Sequence, residues 1–149
     1  MTISNKTFLP SEKHENRNWF VIDCKNQKVG RLASLIVSIL RGKQKTHYSP
    51  SVDIGDYVIL INADSIIVNP SSKHYLVYNP GRPGSSLKIR NAIDSLPELT
   101  IQQAVKGMLT HREKNRLMTR LKIYADNQHP HEAQTPVELF ISDSKIKNY

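Results

Sequence analysis

Three stretches of the chain hold cations with almost no acid among them. Residues 31 to 47 carry Arg31, Arg41, Lys43 and Lys45, followed by His47, and no acid. Residues 73 to 92 carry Lys73, Arg82, Lys88 and Arg90, again without an acid. Residues 106 to 122 set Lys106, Arg112, Lys114, Arg116, Arg120 and Lys122 against the lone Glu113. Cations segregated in this way suit phosphate binding. Each Lys or Arg that meets a phosphate releases condensed counterions, and Arg can fork two bonds to one phosphate. A single such run is often only a solvated face, but three in one basic chain point to a polyanion. Tyr48 lies beside the first stretch and Tyr75 and Tyr78 within the second, where they could stack on unpaired bases or serve as rim residues.

Other chemistry is thin. His129 and His131 in "HPH" could supply two metal ligands, but no Cys, His or acid stands at a recognised spacing from them, and no metal is expected. Asp53 and Asp56 in "SVDIGDY" could be paired carboxylates. The plainer reading is that Asp53 and Gly55 shape a turn and that Asp56 takes a capping or salt-bridge role. Cys24, at the end of an apolar strand, reads as a small buried residue, not a nucleophile. The turn "DCKNQKVGR" has one Gly where a dinucleotide site needs G-x-G-x-x-G. Nothing assembles an active site, so no enzyme, no cofactor and no small-molecule substrate are expected.

Composition agrees. The 149 residues carry 21 Lys and Arg against 13 Asp and Glu, a formal charge of +8, and 38% of them are apolar. That length suits one domain with a core of its own, and the charge favours nucleic acid. No apolar run approaches the roughly 18 residues of a membrane span, so no membrane partner is expected. The single Cys excludes an intramolecular disulfide and fits a reducing compartment. The opening "MTISNKTFLP" is too short and polar for a signal peptide.

The elements that must position the cations follow from hydrophobic periodicity. Residues 1–16 read as an extended arm. "NWFVID" is a short buried strand. "GRLASLIVSILRG" places Leu32, Leu35, Ile36, Ile39 and Leu40 at helical spacing between Gly30 and Gly42, and "DYVILINAD" is the return strand of a β-α-β unit. "SIIVN" reads as a further short strand. Residues 70 to 88 read as a long loop, with a hairpin strand possible at "HYLVY". "LPELTIQQAVKGML" is a second helix with Ile101, Ala104, Val105, Met108 and Leu109 on one face. "HREKNRLMTRL" continues as basic helix or turn, and "LKIYA" and "VELFI" are strands. The expected fold is a single three-layer α/β domain over residues 17–141. It has a central, mostly parallel sheet, an N-terminal arm, basic loops and a tail over residues 142–149.

These blocks, taken together, resemble the universal large-subunit ribosomal protein thirteen family. "NWFVID…VGRLAS…LRGKQKTHYSPSVDIGDYVILINAD", "AVKGML", "RLKIYA" and "HPHEAQTP" match it in order and separation over nearly the whole chain. The resemblance implies a structural constituent of the large ribosomal subunit. It would bind large-subunit ribosomal RNA, help nucleate assembly and touch neighbouring large-subunit proteins. It carries RNA contact onto Arg41, Gly42, Lys43 and Lys45, and onto Lys106, Arg116, Arg120 and Lys122. "NPGRPGSSLK" keeps Gly81, Gly84 and Lys88 of the family pattern but has Asn79 in place of a His. "MLTHREKNR" lacks a Pro and a Gly. "NKTFLP" and "HPHEAQ" look most like cyanobacterial and plastid members, so a plastid ribosome is expected, with cyanobacterial cytoplasm as the alternative. A nucleotide-binding α/β enzyme and a free RNA-binding regulator are the competing readings. Arg41, Lys43 and Lys45 are expected to project on an extended segment after Gly42. Residues 79 to 90 are expected to take their order from RNA, with Arg82 the main contact.

Overall fold

The structure, a computed structural model, describes residues 17–71, 73–78, 81, 83, 86–92, 94–141 and 146–148. The expected arm over 1–16 lies outside the described residues, as do 142–145 and 149 of the expected tail.

The β-α-β opening forms as its periodicity requires. Strand β1 (Trp19–Asp23) leads into helix α1 (Val29–Leu40), which returns the chain to β2 (Tyr57–Ile61), parallel to β1 in the register Trp19↔Tyr57 to Asp23↔Ile61. A β3–β4 hairpin (Lys73–Tyr78 and Ser86–Asn91) follows, then helices α2 (Pro97–Met108) and α3 (Lys114–Met118), and the strands β5 (Leu121–Ile123), β6 (Val137–Ile141) and β7 (Ile146–Asn148). The sheet order is β5-β2-β1-β6-β7. β5, β2, β1 and β6 all run parallel, while β7 returns antiparallel to β6 within the segment read as a tail. The domain is α/β with a mostly parallel sheet, as the sequence implies.

Strand alternation divides the sheet into two faces. Phe20, Ile22, Cys24, Val58, Leu60, Leu121 and Leu139 lie on one face. They join Leu32, Ala33, Ile36, Ile39, Leu40, Ile101, Val105, Leu109 and Leu117 from the helices in one apolar cluster. Fully burying side chains of this size contributes about 1.5–3 kcal/mol each. The opposite face carries Val21 and Ile59, both buried, and the stacked rings of Trp19 and Tyr57, with centroids 4.2 Å apart.

Two expectations need correction. "SIIVN" is not a strand: Asn62 adopts a left-handed φ of 55°, residues Ala63–Ser65 form a 3-10 turn, and Ile67 makes only an isolated bridge to Lys28. Residues 86–91, read mostly as loop, form β4, paired from Lys73↔Asn91 to Tyr78↔Ser86. Alternation in "SLKIRN" supports that strand, although its polar positions look loop-like in sequence. On α2, Met108 is 44% exposed while Thr100 is buried and donates its hydroxyl to the Ala92 carbonyl at 3.2 Å. The buried row is therefore Thr100, Ile101, Val105 and Leu109, rotated away from the expected Met108.

Candidate nucleic-acid interface

Parallel strands fix where the charges meet. Every segment entering β1, β2 or β5 arrives at the amino edge of the sheet, and α1, running back against the strands, ends there too. Arg17 precedes β1, Asp53 and Asp56 precede β2, Arg120 precedes β5, and Arg41 follows α1.

The end of α1 is shaped by Gly42, at φ 71°. Its amide donates to the Ile39 carbonyl and the Lys43 amide to the Ser38 carbonyl, each at 2.9 Å. This paired closure is the usual glycine stop of a helix. The expected halt at Gly42 holds, but the extended prong does not. Residues 41 to 47 coil into consecutive turns, with the Lys45 amide on the Gly42 carbonyl at 3.0 Å and the Tyr48 amide on the Lys45 carbonyl at 3.2 Å. Lys45 consequently lies back, its Nζ 3.0 Å from Asp56 Oδ1, whereas Lys43 is exposed. Asp56 Oδ1 also accepts the Asn18 amide at 2.9 Å, which gives it the salt-bridge and capping role expected for it.

Behind this turn sits a buried charge pair. The two guanidinium nitrogens of Arg120 grip both carboxylate oxygens of Asp53, Nη1 to Oδ1 at 2.7 Å and Nη2 to Oδ2. Arg120 Nη1 also donates to the Gly55 carbonyl at 3.3 Å, and Arg116 Nε lies 3.1 Å from Asp53 Oδ2. Burial alone would raise the Asp53 carboxyl's pKa. The hydrogen bonds and charge of Arg120, the charge of Arg116 and the Gly55 amide overcome that and hold it below the ordinary carboxylate value. Gly55 is required for close approach: a Cβ there would stand 1.7 Å from the Leu40 carbonyl oxygen. Arg120, expected to contact RNA, is 5% exposed and engaged internally, so it is corrected to a positioning role.

In front of the pair a cleft of about 450 Å³ opens between residues 48–53 and 112–117, lined by Arg41, Tyr48, Pro50, Arg112 and Arg116 among others. Arg41 Nη2 is 3.1 Å from Glu113 Oε2, which also accepts the Thr110 hydroxyl at 2.9 Å. Glu113 thus orients Arg41 without closing the cleft. Arg112 is exposed, and the Arg116 side chain is 54% exposed while its Nε holds Asp53. Arg41, Lys43, His47, Arg112, Lys114 and Arg116 all fall on the segments around this edge.

The remaining predicted residues are dispersed. Arg31 sits at the opposite end of α1, roughly 15 Å along the axis from Arg41 at 1.5 Å per residue. Lys106 flanks a separate, smaller groove with Asn115 and Met118. Lys122 is within β5, in register with Ile59. Lys88 and Arg90 occupy β4 opposite Leu76 and His74, and Arg82 lies outside the described residues. Sequence reasoning missed the Asp53–Arg120 pair, the Arg41–Glu113 pair and the steric need for Gly55. The local signal was a charged residue immediately before β2, Asp56, and before β5, Arg120.

The carboxyl edge of the sheet, where open α/β folds bind nucleotides, is occupied differently. Asp23 Oδ1 accepts the Lys25 amide and the Asn62 side-chain amide, each at 2.9 Å, which puts an acid where a phosphate would have to enter. His131, one of the two histidines weighed as metal ligands, packs its ring against Trp19 and hydrogen-bonds the Tyr124 hydroxyl through Nε2 at 2.9 Å. Cys24 is buried. Desolvation, aided by the Asp23 charge, pushes its thiol up to about 12.

Residues 17–130 match the family model described as ribosomal protein L13. The large ribosomal subunit protein uL13c of Trieres chinensis is 46% identical over 136 residues, covering 91% of this chain and 96% of that protein. The large ribosomal subunit protein uL13 of Synechococcus elongatus is 46% identical over 143 residues, covering 92% and 94%. The uL13 of Prochlorococcus marinus strain NATL1A is 40% identical over 147 residues, covering 95% and 98%.

Proposed function

Because this chain belongs to the ribosomal protein L13 family, we propose that the cationic edge around the Arg41–Arg112–Arg116 cleft is its face toward large-subunit ribosomal RNA. The chain is a structural constituent of the large ribosomal subunit and not an enzyme, and its relatives are of plastid and cyanobacterial type. The observation that carries the RNA-facing assignment is the convergence of Arg41, Lys43, Arg112 and Arg116, from segments up to 75 residues apart, on one edge where the only cleft-lining acids are already paired.

The division of labour follows from burial. Arg120 and Asp53 hold the 53–56 turn against α1 and so fix the cleft wall. Arg116 bridges that pair and the surface. Lys43 and Arg112 stand in solvent, where each phosphate contact would release counterions. Tyr48 lines the cleft and supplies a ring to an unpaired base. His47 and Lys114 add to the proposed contact set beside the cleft, and Arg31, Arg82, Lys88, Arg90, Lys106 and Lys122 complete it.

The test is equilibrium binding of the full chain to large-subunit ribosomal RNA across a salt series. Replacing Lys43 and Arg112 together should weaken binding and flatten the slope of log K against log salt. An unchanged slope removes the cleft edge from the interface. Sedimentation of tagged chain with the large subunit separates a ribosomal constituent from a free RNA-binding regulator, which would stay at the top of the gradient.

A further inference from the structure

The strand at one end of the sheet, β5, has an open side. In its parallel pairing with β2, the Arg120 carbonyl accepts from Val58 at 3.1 Å and the Tyr124 amide donates to Leu60 at 2.9 Å. The register therefore turns the backbone groups of residues 120, 122 and 124 toward β2. Those of Leu121 and Ile123 face outward, and among the described residues they have no backbone partner.

Alongside that open edge runs an apolar groove. Leu99 on α2, Met118 on α3, and Leu121 and Ile123 of the edge itself line a cleft of about 190 Å³, with Glu98 and Gln102 at its rim. A second cleft of about 220 Å³ shares Gln102 and Met118 with it and is lined by Lys106, Asn115 and Thr119 as well. Leu99 is 45% exposed and Leu96, just before the helix, 67% exposed. The groove is narrow and two-ended, acidic at Glu98 and basic at Lys106. It is also continuous with the proposed RNA face, because α3 presents Arg116 to the cationic cleft and Asn115 and Met118 to this groove.

We infer that this edge and groove receive an extended segment of a neighbouring large-subunit protein, added as a strand beside β5. The inference rests on the placement of the chain in the large subunit given above. Outward N–H and C=O groups two residues apart are met in full by another extended backbone, whereas a phosphate meets only the donors. The groove floor then takes alternate apolar side chains of the incoming strand. The charge at its two ends sets direction: a cation of the segment lies near Glu98 and an acid near Lys106. The clefts are too small for a globular face, and Lys106 is the one cation lining them to meet a phosphate, with Glu98 opposing it. A second copy of this chain would have little beyond this three-residue edge to hold it, whereas a segment within the subunit is also held by the protein it belongs to.

The test uses the full chain, free and in purified large subunits. With benzoylphenylalanine at position 99, photolysis of assembled subunits should give one crosslink, to an extended segment of a single large-subunit protein with apolar residues at alternate positions. Hydrogen exchange at the Leu121 and Ile123 amides should slow at least tenfold in the subunit relative to the free chain. It should not slow with large-subunit ribosomal RNA alone. Leu99→Glu should reverse that protection while the chain still sediments with the large subunit. Protection by ribosomal RNA alone, crosslinks only to RNA, or dimerisation of the free chain through Leu99 would each overturn the inference and leave the RNA-facing cleft standing. Failure of the chain to sediment with large subunits would overturn both.

Discussion

Arg120 holds Asp53 across 67 residues of sequence, Nη1 to Oδ1 at 2.7 Å, with both side chains almost wholly out of solvent. Removing one partner of a buried ion pair strands the other charge in a medium that cannot solvate it, at about 3–5 kcal/mol. Asp53→Asn, which strands Arg120, should lose stability on that scale in urea unfolding, and Arg120→Met should lose less, because Arg116 still pairs with Asp53. The double variant should cost clearly less than the sum, because it removes both charges. Additive losses would show that the two side chains do not act as a unit.

The same pair sets an acid limit. Asp53 is held below its ordinary value in the folded chain, so its contribution is fully present above the unfolded carboxylate value of about 3.9. It is lost as pH falls through the lowered folded value. Unfolding free energy measured from pH 6 downward should therefore drop below about pH 4. Asp53→Asn should remove this part of the acid dependence while leaving that of the other carboxylates.

Gly55 should tolerate no side chain. Its Cβ would press on a main-chain carbonyl at the end of α1, and overpacking that moves backbone costs about 1–3 kcal/mol or more. Gly55→Ala should lower the melting temperature and also weaken RNA binding, since it shifts the turn that carries Asp53, a cleft-lining residue. An unaltered melting curve would show that the turn and helix can part without cost.

Lys43 and Lys45 should behave differently although they are two residues apart. Lys43→Ala with Arg112→Ala should flatten the salt slope of RNA binding by roughly 1 to 2 units and leave stability within about 0.5 kcal/mol. Lys45→Ala, which leaves Asp56 without its ammonium partner, should act chiefly on stability. Equal slope changes from Lys43→Ala and Lys45→Ala would overturn the distinction.

Cys24 should resist alkylation at pH 8 in the folded chain, because burial keeps it a thiol. It should react fully after denaturation. Labelling with N-ethylmaleimide, followed by intact mass, reads both states, and rapid modification of the native chain would contradict its assignment as a packed core residue.

Much of this was readable from the sequence. The unit β1-α1-β2 was legible because apolar runs and 3.6-residue spacing are local properties, and so was the helix stop at Gly42, where a left-handed residue must stand. The cation-rich, acid-poor stretches stood out in composition alone, and the ordered blocks from "NWFVID" to "HPHEAQTP" were legible as a family resemblance. Tertiary structure alone decided what each cation does. Arg120 and Arg116 look alike in "NRLMTRL", yet one is sealed beneath the 53–56 turn and the other reaches solvent, because β5 lies next to β2 and carries residue 120 onto Asp53. Lys45 and Lys43 look alike in "GKQK", but the turn after Gly42 folds only Lys45 onto Asp56. A charged side chain has the same composition wherever it stands. Its role depends on the dielectric around it and on the partner that the sheet order brings within 3 Å, and the order of the strands is not written in any one of them.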